Sequence, residues 1–243
     1  GFRRWYLRSL QEIVDLREEP SGWREDGFED GGWLPAMELD ALPSRSAYSG
    51  AYREYAVETW MTRPADSTLS ARSIPLLDHS QVSPVRVAAT GVVTWHRTPD
   101  EWFRYRVPGS LTVANDVRPL DAKDVVVPVG ARTVTYEFAK EIVGYPFIEI
   151  DAPRGTVVEI MVQESHDPVA RPWLDSHHFQ WTRFVCPGGR FRFEAFDYEA
   201  LRWMQLHVHE HDAPVTVRRV GVVQRIYAWP RPYATATDDA ALQ

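Results

Sequence analysis

An all-β fold, an antiparallel β-sandwich, is what this sequence predicts, and three observations predict it. Between Ala131 and Trp229 the apolar residues recur at every second position, the period of a strand with one buried face. Gly and Pro separate these runs at turn positions. No helix-period pattern of comparable length occurs in the stretch, so the crossover helices that a parallel α/β sheet needs are missing.

The first 35 residues open on a run, Trp5, Leu7, Leu10 and Ile13, that fits a strand or a short helix equally well. A turn-rich segment follows, in which Gly22-Trp23 and Gly31-Gly32-Trp33 each set an indole beside a small residue. Exposed indoles are flat platforms for sugar rings, although packing is the commoner use of Trp. Trp23 and Trp33 are therefore candidate carbohydrate-binding residues. Asp26, Glu29 and Asp30 match no calcium-loop spacing and read as a solvated acidic turn. Residues 36–75 are irregular and rich in Pro and Ser, with one strand expected around Tyr52 to Trp60, and hold the best place for a domain boundary.

Residues 85–95 and 102–107 alternate again and predict strands, and Asp116 to Asp124 is a polar connector. In the central stretch Val134, Tyr136 and Phe138 share one face and Thr133, Thr135 and Glu137 the other. Ile148 and Ile150 are followed by Ala152-Pro153-Arg154-Gly155, then by Val158, Ile160 and Val162, which predicts two antiparallel strands joined by a tight turn. Phe191 and Phe193 oppose Arg190, Arg192 and Glu194, and Met204, Leu206 and Val208 oppose His207 and His209. The apolar residues named here between Val134 and Val208 are the predicted core.

The chain has 243 residues, 44% hydrophobic and 25% charged, enough for one large sandwich or two smaller units. A formal charge of -7 supplies no basic field for phosphate, so no nucleic-acid partner is expected. There is no uninterrupted apolar 18-mer, so no membrane partner is expected either. Cys186 is the only cysteine and has no catalytic base placed beside it by any motif; it reads as an inert thiol. With no internal disulfide possible, the cytoplasm is the expected location, an extracellular one being left open. No motif calls for a cofactor.

His207, His209 and His211 project from one face if they lie in a strand. Side chains two apart stand about 7 Å from each other, long for three ligands on one ion, so no metal site is predicted and the histidines read as surface or interdomain residues. Glu164, His166 and Asp167, with Asp175, His177 and His178 beyond, form a candidate polar pocket at a strand end. Acid and base work needs two carboxylates held roughly 5–9 Å apart. Sequence proximity does not supply that geometry, and no catalytic residue is assigned. Trp173 and Trp181 join the candidate carbohydrate-binding residues. Trp203, on the strand face of His207, and Tyr227 and Trp229, at the end of the last strand, are candidates for an interdomain face.

Several segments carry a resemblance. Tyr136-Glu137-Phe138-Ala139-Lys140-Glu141, Gly144-Tyr145-Pro146, Ala152-Pro153-Arg154-Gly155-Thr156 and Glu164 resemble the β-sandwich that precedes the catalytic domain in bacterial α-L-rhamnosidases, family 78 glycoside hydrolases. Phe191 to Phe196 with Leu201-Arg202-Trp203, and Arg72-Ser73-Ile74-Pro75-Leu76-Leu77, are similar to further segments of that region. Val14-Asp15-Leu16-Arg17, Gly22-Trp23 and Phe28-Glu29-Asp30-Gly31-Gly32-Trp33 resemble elements of its upstream domain, with Glu29 where the family has Asp.

The resemblance implies a concanavalin-like supersandwich with a small N-terminal jelly-roll-like portion. It divides the chain into residues 1–70, part of a galactose-binding-like β domain plus linker; 71–230, the main antiparallel sandwich; and 231–243, the linker and start of an (α/α)₆ barrel. Both ends read as cut. Because the family carries its catalytic carboxylates on that barrel, the implied role here is an accessory, non-catalytic one. The implied partners are the barrel of the same protein and rhamnose-containing glycans. A carbohydrate-binding module and a structural or interaction domain are the alternatives.

Overall fold

The period-two runs become strands, and the longest of them joins two layers. The computed structural model describes residues 12–20, 22–23, 25–35, 73–96, 111–174 and 181–227, Trp181 by its backbone alone. The strands are β1 (Ile13–Asp15), β2 (Asp78–Val82), β3 (Arg86–Trp95), β4 (Leu111–Asp116), β5 (Val125–Val127), β6 (Arg132–Ala152), β7 (Val157–Gln163), β8 (Trp181–Val185), β9 (Gly189–Glu194), β10 (Glu199–His209) and β11 (Val215–Ile226). The described residues contain no helix, and so none long and apolar enough to cross a membrane. The strands expected around Tyr52 to Trp60 and at 102–107, and the polar residues Asp175, His177 and His178, lie outside the described residues, as do Trp229 and residues 231–243.

Strand β6 is the organising element. Its N-terminal part runs between β3 and β10, and its C-terminal part between β9 and β11. Between them Phe138 to Glu141 bulge out against Arg202 alone, since Ile142 pairs with Leu201 and Glu137 with Trp203. A bulge of this kind bends a strand and lets it pass from one layer to the other. One layer therefore reads β4-β3-β6-β10-β7-β8-β1, and the other holds β9, the far half of β6, β11, β2 and β5. The apolar faces of both meet in one core, where Val134, Tyr136 and Phe138 of β6, Val158 and Ile160 of β7, and Met204, Leu206 and Val208 of β10 contribute from the first layer. Ile148, Ile150, Phe193 and, from β11, Val215, Val217, Val220 and Val222 contribute from the second. All the predicted core residues are buried except Phe191, which is half-buried and packs against the same cluster.

Two expectations are corrected. The strands flanking Ala152-Pro153-Arg154-Gly155 are antiparallel in sequence pattern but do not form a hairpin: β6 there pairs with β9 and β11, and β7 with β8 and β10. The turn instead carries the chain across the core. Gly155 takes φ 92° and donates to the Cys186 carbonyl, while the Thr156 hydroxyl donates to the Pro153 carbonyl at 2.9 Å. Nor is every pairing antiparallel, because β1 lies parallel to β8, with Val14 opposite Phe184. Edge strands contributed from a distant part of the chain have no hairpin to fix their direction.

The chain divides into two units, residues 1–19 with 77–243, and residues 20–76. Strand β1 thus belongs with the sandwich. Its anchor is Glu12, whose carboxylate accepts the Phe196 N–H at 2.7 Å; burial pushes its pKa up against that bond.

Tyr136 offers a test of the core. Its ring is fully buried, and its hydroxyl has no hydrogen-bond partner among the described residues. An unpaired buried hydroxyl costs on the order of 1–3 kcal/mol. Y136F is expected to raise the urea midpoint, by the equivalent of about 1 kcal/mol; a lowered midpoint would show that the hydroxyl is hydrogen-bonded.

Candidate functional site

The face of the first layer turned away from the core is also buried, and it is polar. Thr133 and Thr135 of β6, Glu159 and Gln163 of β7, and Gln205, His207 and His209 of β10 lie within it. Register explains the arrangement. Asn115 on β4, Gly91 on β3, Thr133 on β6, His207 on β10, Glu159 on β7 and Arg183 on β8 are directly opposed in turn. Directly opposed residues bring their Cβ atoms within about 5.5 Å, so each side chain meets the next. Gly91 keeps the row closed, because a Cβ there would lie 2.3 Å from the Thr133 hydroxyl and 2.7 Å from the Asn115 carbonyl oxygen.

A covering segment, residues 166–174, shuts this face off. The Asn115 amide donates to the carbonyls of Pro168 at 3.0 Å and Pro172 at 3.3 Å. The Gln205 amide donates to the Pro172 carbonyl at 3.0 Å and the Thr135 hydroxyl at 2.7 Å, while its oxygen accepts the Leu174 N–H at 2.9 Å. Trp173 lies edge-on to the His207 ring at 5.4 Å, Trp95 closes on it at 5.8 Å, and His166 stands edge-on to Trp203 at 5.6 Å.

At the centre, the Glu159 carboxylate is fully buried. Its Oε2 lies 2.8 Å from His207 Nδ1 and 3.6 Å from His209 Nε2, and its Oε1 lies 3.5 Å from the Arg183 guanidinium. The imidazoles of His207 and His209 stack at 4.5 Å and 22°. Burial alone pushes the Glu159 carboxyl up, but the hydrogen bond from His207 and the His209 imidazole beside it outweigh burial and hold the group at about 2. Burial pushes His207 down despite the carboxylate beside it, so the ring is neutral and donates Nδ1–H to an ionised Glu159. His209 also lines an open depression with Trp95, Gly130, Pro153, Arg154 and His211.

Sequence reasoning missed Glu159, which alternates with Val158 and Ile160 and reads as a solvent-facing residue. Only the register that sets it opposite His207 reveals it. His207 and Trp203, candidates for an interdomain face, are buried, because the chain's own segment 166–174 covers them through Trp173 and His166. His211 falls past the strand end, where Glu210 takes φ 56°, and both its ring nitrogens meet carbonyls, of Ala213 at 2.8 Å and Gly130 at 3.0 Å. Tyr227 is half-buried. Trp173 is half-buried against His207, and the Trp181 side chain lies outside the described residues. Glu164 and Asp167 are exposed, and Asp167 caps its own turn by accepting the N–H groups of Val169 and Ala170. Cys186 is buried in the core, where desolvation pushes its thiol up to about 12, as an inert thiol requires.

In the unit of residues 20–76, Trp23 and Trp33 come together, ring centroids 6.3 Å apart at 37°, with Phe28 edge-on to Trp33 at 5.6 Å. Trp23 is 39% exposed and Trp33 54%.

No protein-family model matches the sequence. No curated protein matches it either. Among solved structures, the chain is similar to a GH78 family rhamnosidase of Bacillus sp. GL1, at 19% identity and TM-score 0.41 over 48% of this chain and 13% of that one. It is similar also to a rhamnosidase from Klebsiella oxytoca with rhamnose bound, at 15% identity and TM-score 0.46 over 68% of this chain and 32% of that one. A third is the enzymatically active domain of tailspike protein 4 of bacteriophage CBA120, at 10% identity and TM-score 0.26 over 68% and 22%. The chain thus spans between 13% and 32% of the length of these proteins. Likeness of this extent assigns neither family nor activity to the chain.

Proposed function

We propose that the chain is an accessory, non-catalytic β-sandwich of an α-L-rhamnosidase-like glycoside hydrolase, whose task is to support a catalytic (α/α)₆ barrel in the same protein. The observation that carries this reading is where the family-like segments meet. Glu137, from the Tyr136-Glu137-Phe138 segment, accepts from Arg86 at 2.7 Å and from Arg202, in the Leu201-Arg202-Trp203 segment, at 3.1 Å. These contacts clamp the bulge at which β6 changes layer. The Pro153-Arg154-Gly155-Thr156 segment makes the crossing from β6 to β7. The residues behind the resemblance thus hold the sandwich in shape, as a scaffold requires.

The purified chain, incubated with an aryl α-L-rhamnoside, is expected to match the blank. Turnover that Glu164→Gln abolishes would overturn the reading.

A second reading, a carbohydrate-binding module, is favoured by the exposed pair Trp23 and Trp33, which presents two indoles side by side. Titrating the chain with L-rhamnose, following Trp fluorescence and heat, distinguishes the two. Saturable binding lost in Trp33→Ala would promote the module.

A further inference from the structure

The buried row on β7 and β10 holds a set of donors that a transition metal requires. We infer that Glu159, His207 and His209 form a binding site for a divalent transition-metal ion of the zinc type, independent of any role in sugar chemistry. The ligand atoms of the three lie within 4.8 Å of one another, and all three residues are buried. Glu159 Oε2 stands 2.8 Å from His207 Nδ1 and 3.6 Å from His209 Nε2. A tetrahedral ion with bonds of about 2.0–2.1 Å separates its ligands by roughly 3.3 Å, so these spacings bracket what the ion needs and small side-chain rotations close the rest. Two imidazoles and one carboxylate are also the ligand types that a borderline-soft divalent ion prefers over calcium or magnesium.

The surroundings fit the assignment. Arg183 approaches the other carboxylate oxygen, Oε1, and leaves Oε2 to the histidines, so it fixes the plane of the carboxylate as an outer-shell partner does. Gly91 and Thr133 pack the row from one side and Trp95 and Trp173 wall the imidazole, which holds the rotamers in place. His209 reaches the open depression beside Gly130 and Arg154, a route for the ion and a place for a water to complete the coordination. On binding, the His207 proton moves from Nδ1 to Nε2, so the ring stays neutral and presents its Nδ1 lone pair to the ion beside that of His209 Nε2.

The whole chain, freed of metal with a chelator, is titrated calorimetrically with zinc chloride, and its thermal unfolding is followed with and without zinc. One equivalent is expected to bind and to raise the midpoint. His209→Gln, at the edge of the cluster, keeps the strand and the Glu159–His207 bond. It is expected to weaken zinc by more than the roughly 10–100-fold that losing an outer-shell partner costs, and to abolish the rise in midpoint. Arg183→Gln is expected to weaken zinc within that range. Cobalt(II) is expected to give the intense visible absorption of a tetrahedral site in the wild type and not in His209→Gln. No zinc binding by the folded wild type, or binding and cobalt absorption unchanged in a folded His209→Gln, would overturn the assignment and place any zinc on other histidines.

Discussion

Replacing Glu159 by alanine is expected to lower the unfolding free energy of the chain by about 3–5 kcal/mol, the cost of breaking a buried ion pair by removing one partner. Glu159 is fully buried, and its carboxylate accepts from His207 and pairs in charge with Arg183 at 3.5 Å, across three strands. Without it the guanidinium loses its counter-charge and the imidazole its acceptor. The sign of the pH dependence follows from the same group. Its folded pKa, at about 2, lies below the ordinary carboxylate value, so its contribution is present above that ordinary value and is lost as pH falls through about 2. Acid unfolding is therefore expected to be shallower in E159A than in the wild type. Urea titrations at neutral pH and near pH 3 read both effects; a loss under 1 kcal/mol at neutral pH would mean that the cluster is not coupled as described.

Phe184→Ala is expected to cost about as much, roughly 3–5 kcal/mol, for a different reason. Phe184 on β8 is fully buried, stacks on Phe193 of β9 at 4.3 Å and 17°, and meets Phe191 edge-on at 6.0 Å. These contacts join the outer part of the first layer to the second, so truncation leaves a cavity between two layers that cannot collapse independently. Phe196 is 81% exposed, and Phe196→Ser is the control, expected to change stability by less than about 0.5 kcal/mol. Equal urea midpoints for the two variants would refute the placement of β8 over β9.

Alternation made the core legible: Val134, Tyr136, Phe138, Ile160 and Leu206 are buried because one strand face must be, and the sequence says which. What alternation does not carry is pairing. The pattern around Pro153 reads as a hairpin, yet the same residues serve equally well to cross between layers, and only the partners of β6 and β7 decide. The polar face was hidden for a related reason. Thr133, Glu159, Gln205 and His207 sit at positions that a half-buried strand gives to solvent, and the covering segment 166–174 that buries them shows no periodicity of its own. The parallel docking of β1 on β8 joins residues far apart in the chain and leaves no local mark.

The accessory role is tested most directly by sequencing the transcript through the codon for Gln243. An accessory role predicts an open reading frame that continues for several hundred residues with apolar positions at the 3.6-residue period of helices and carries the catalytic carboxylates. A stop codon directly after Gln243, or a continuation that keeps the two-residue period of strands, would contradict it.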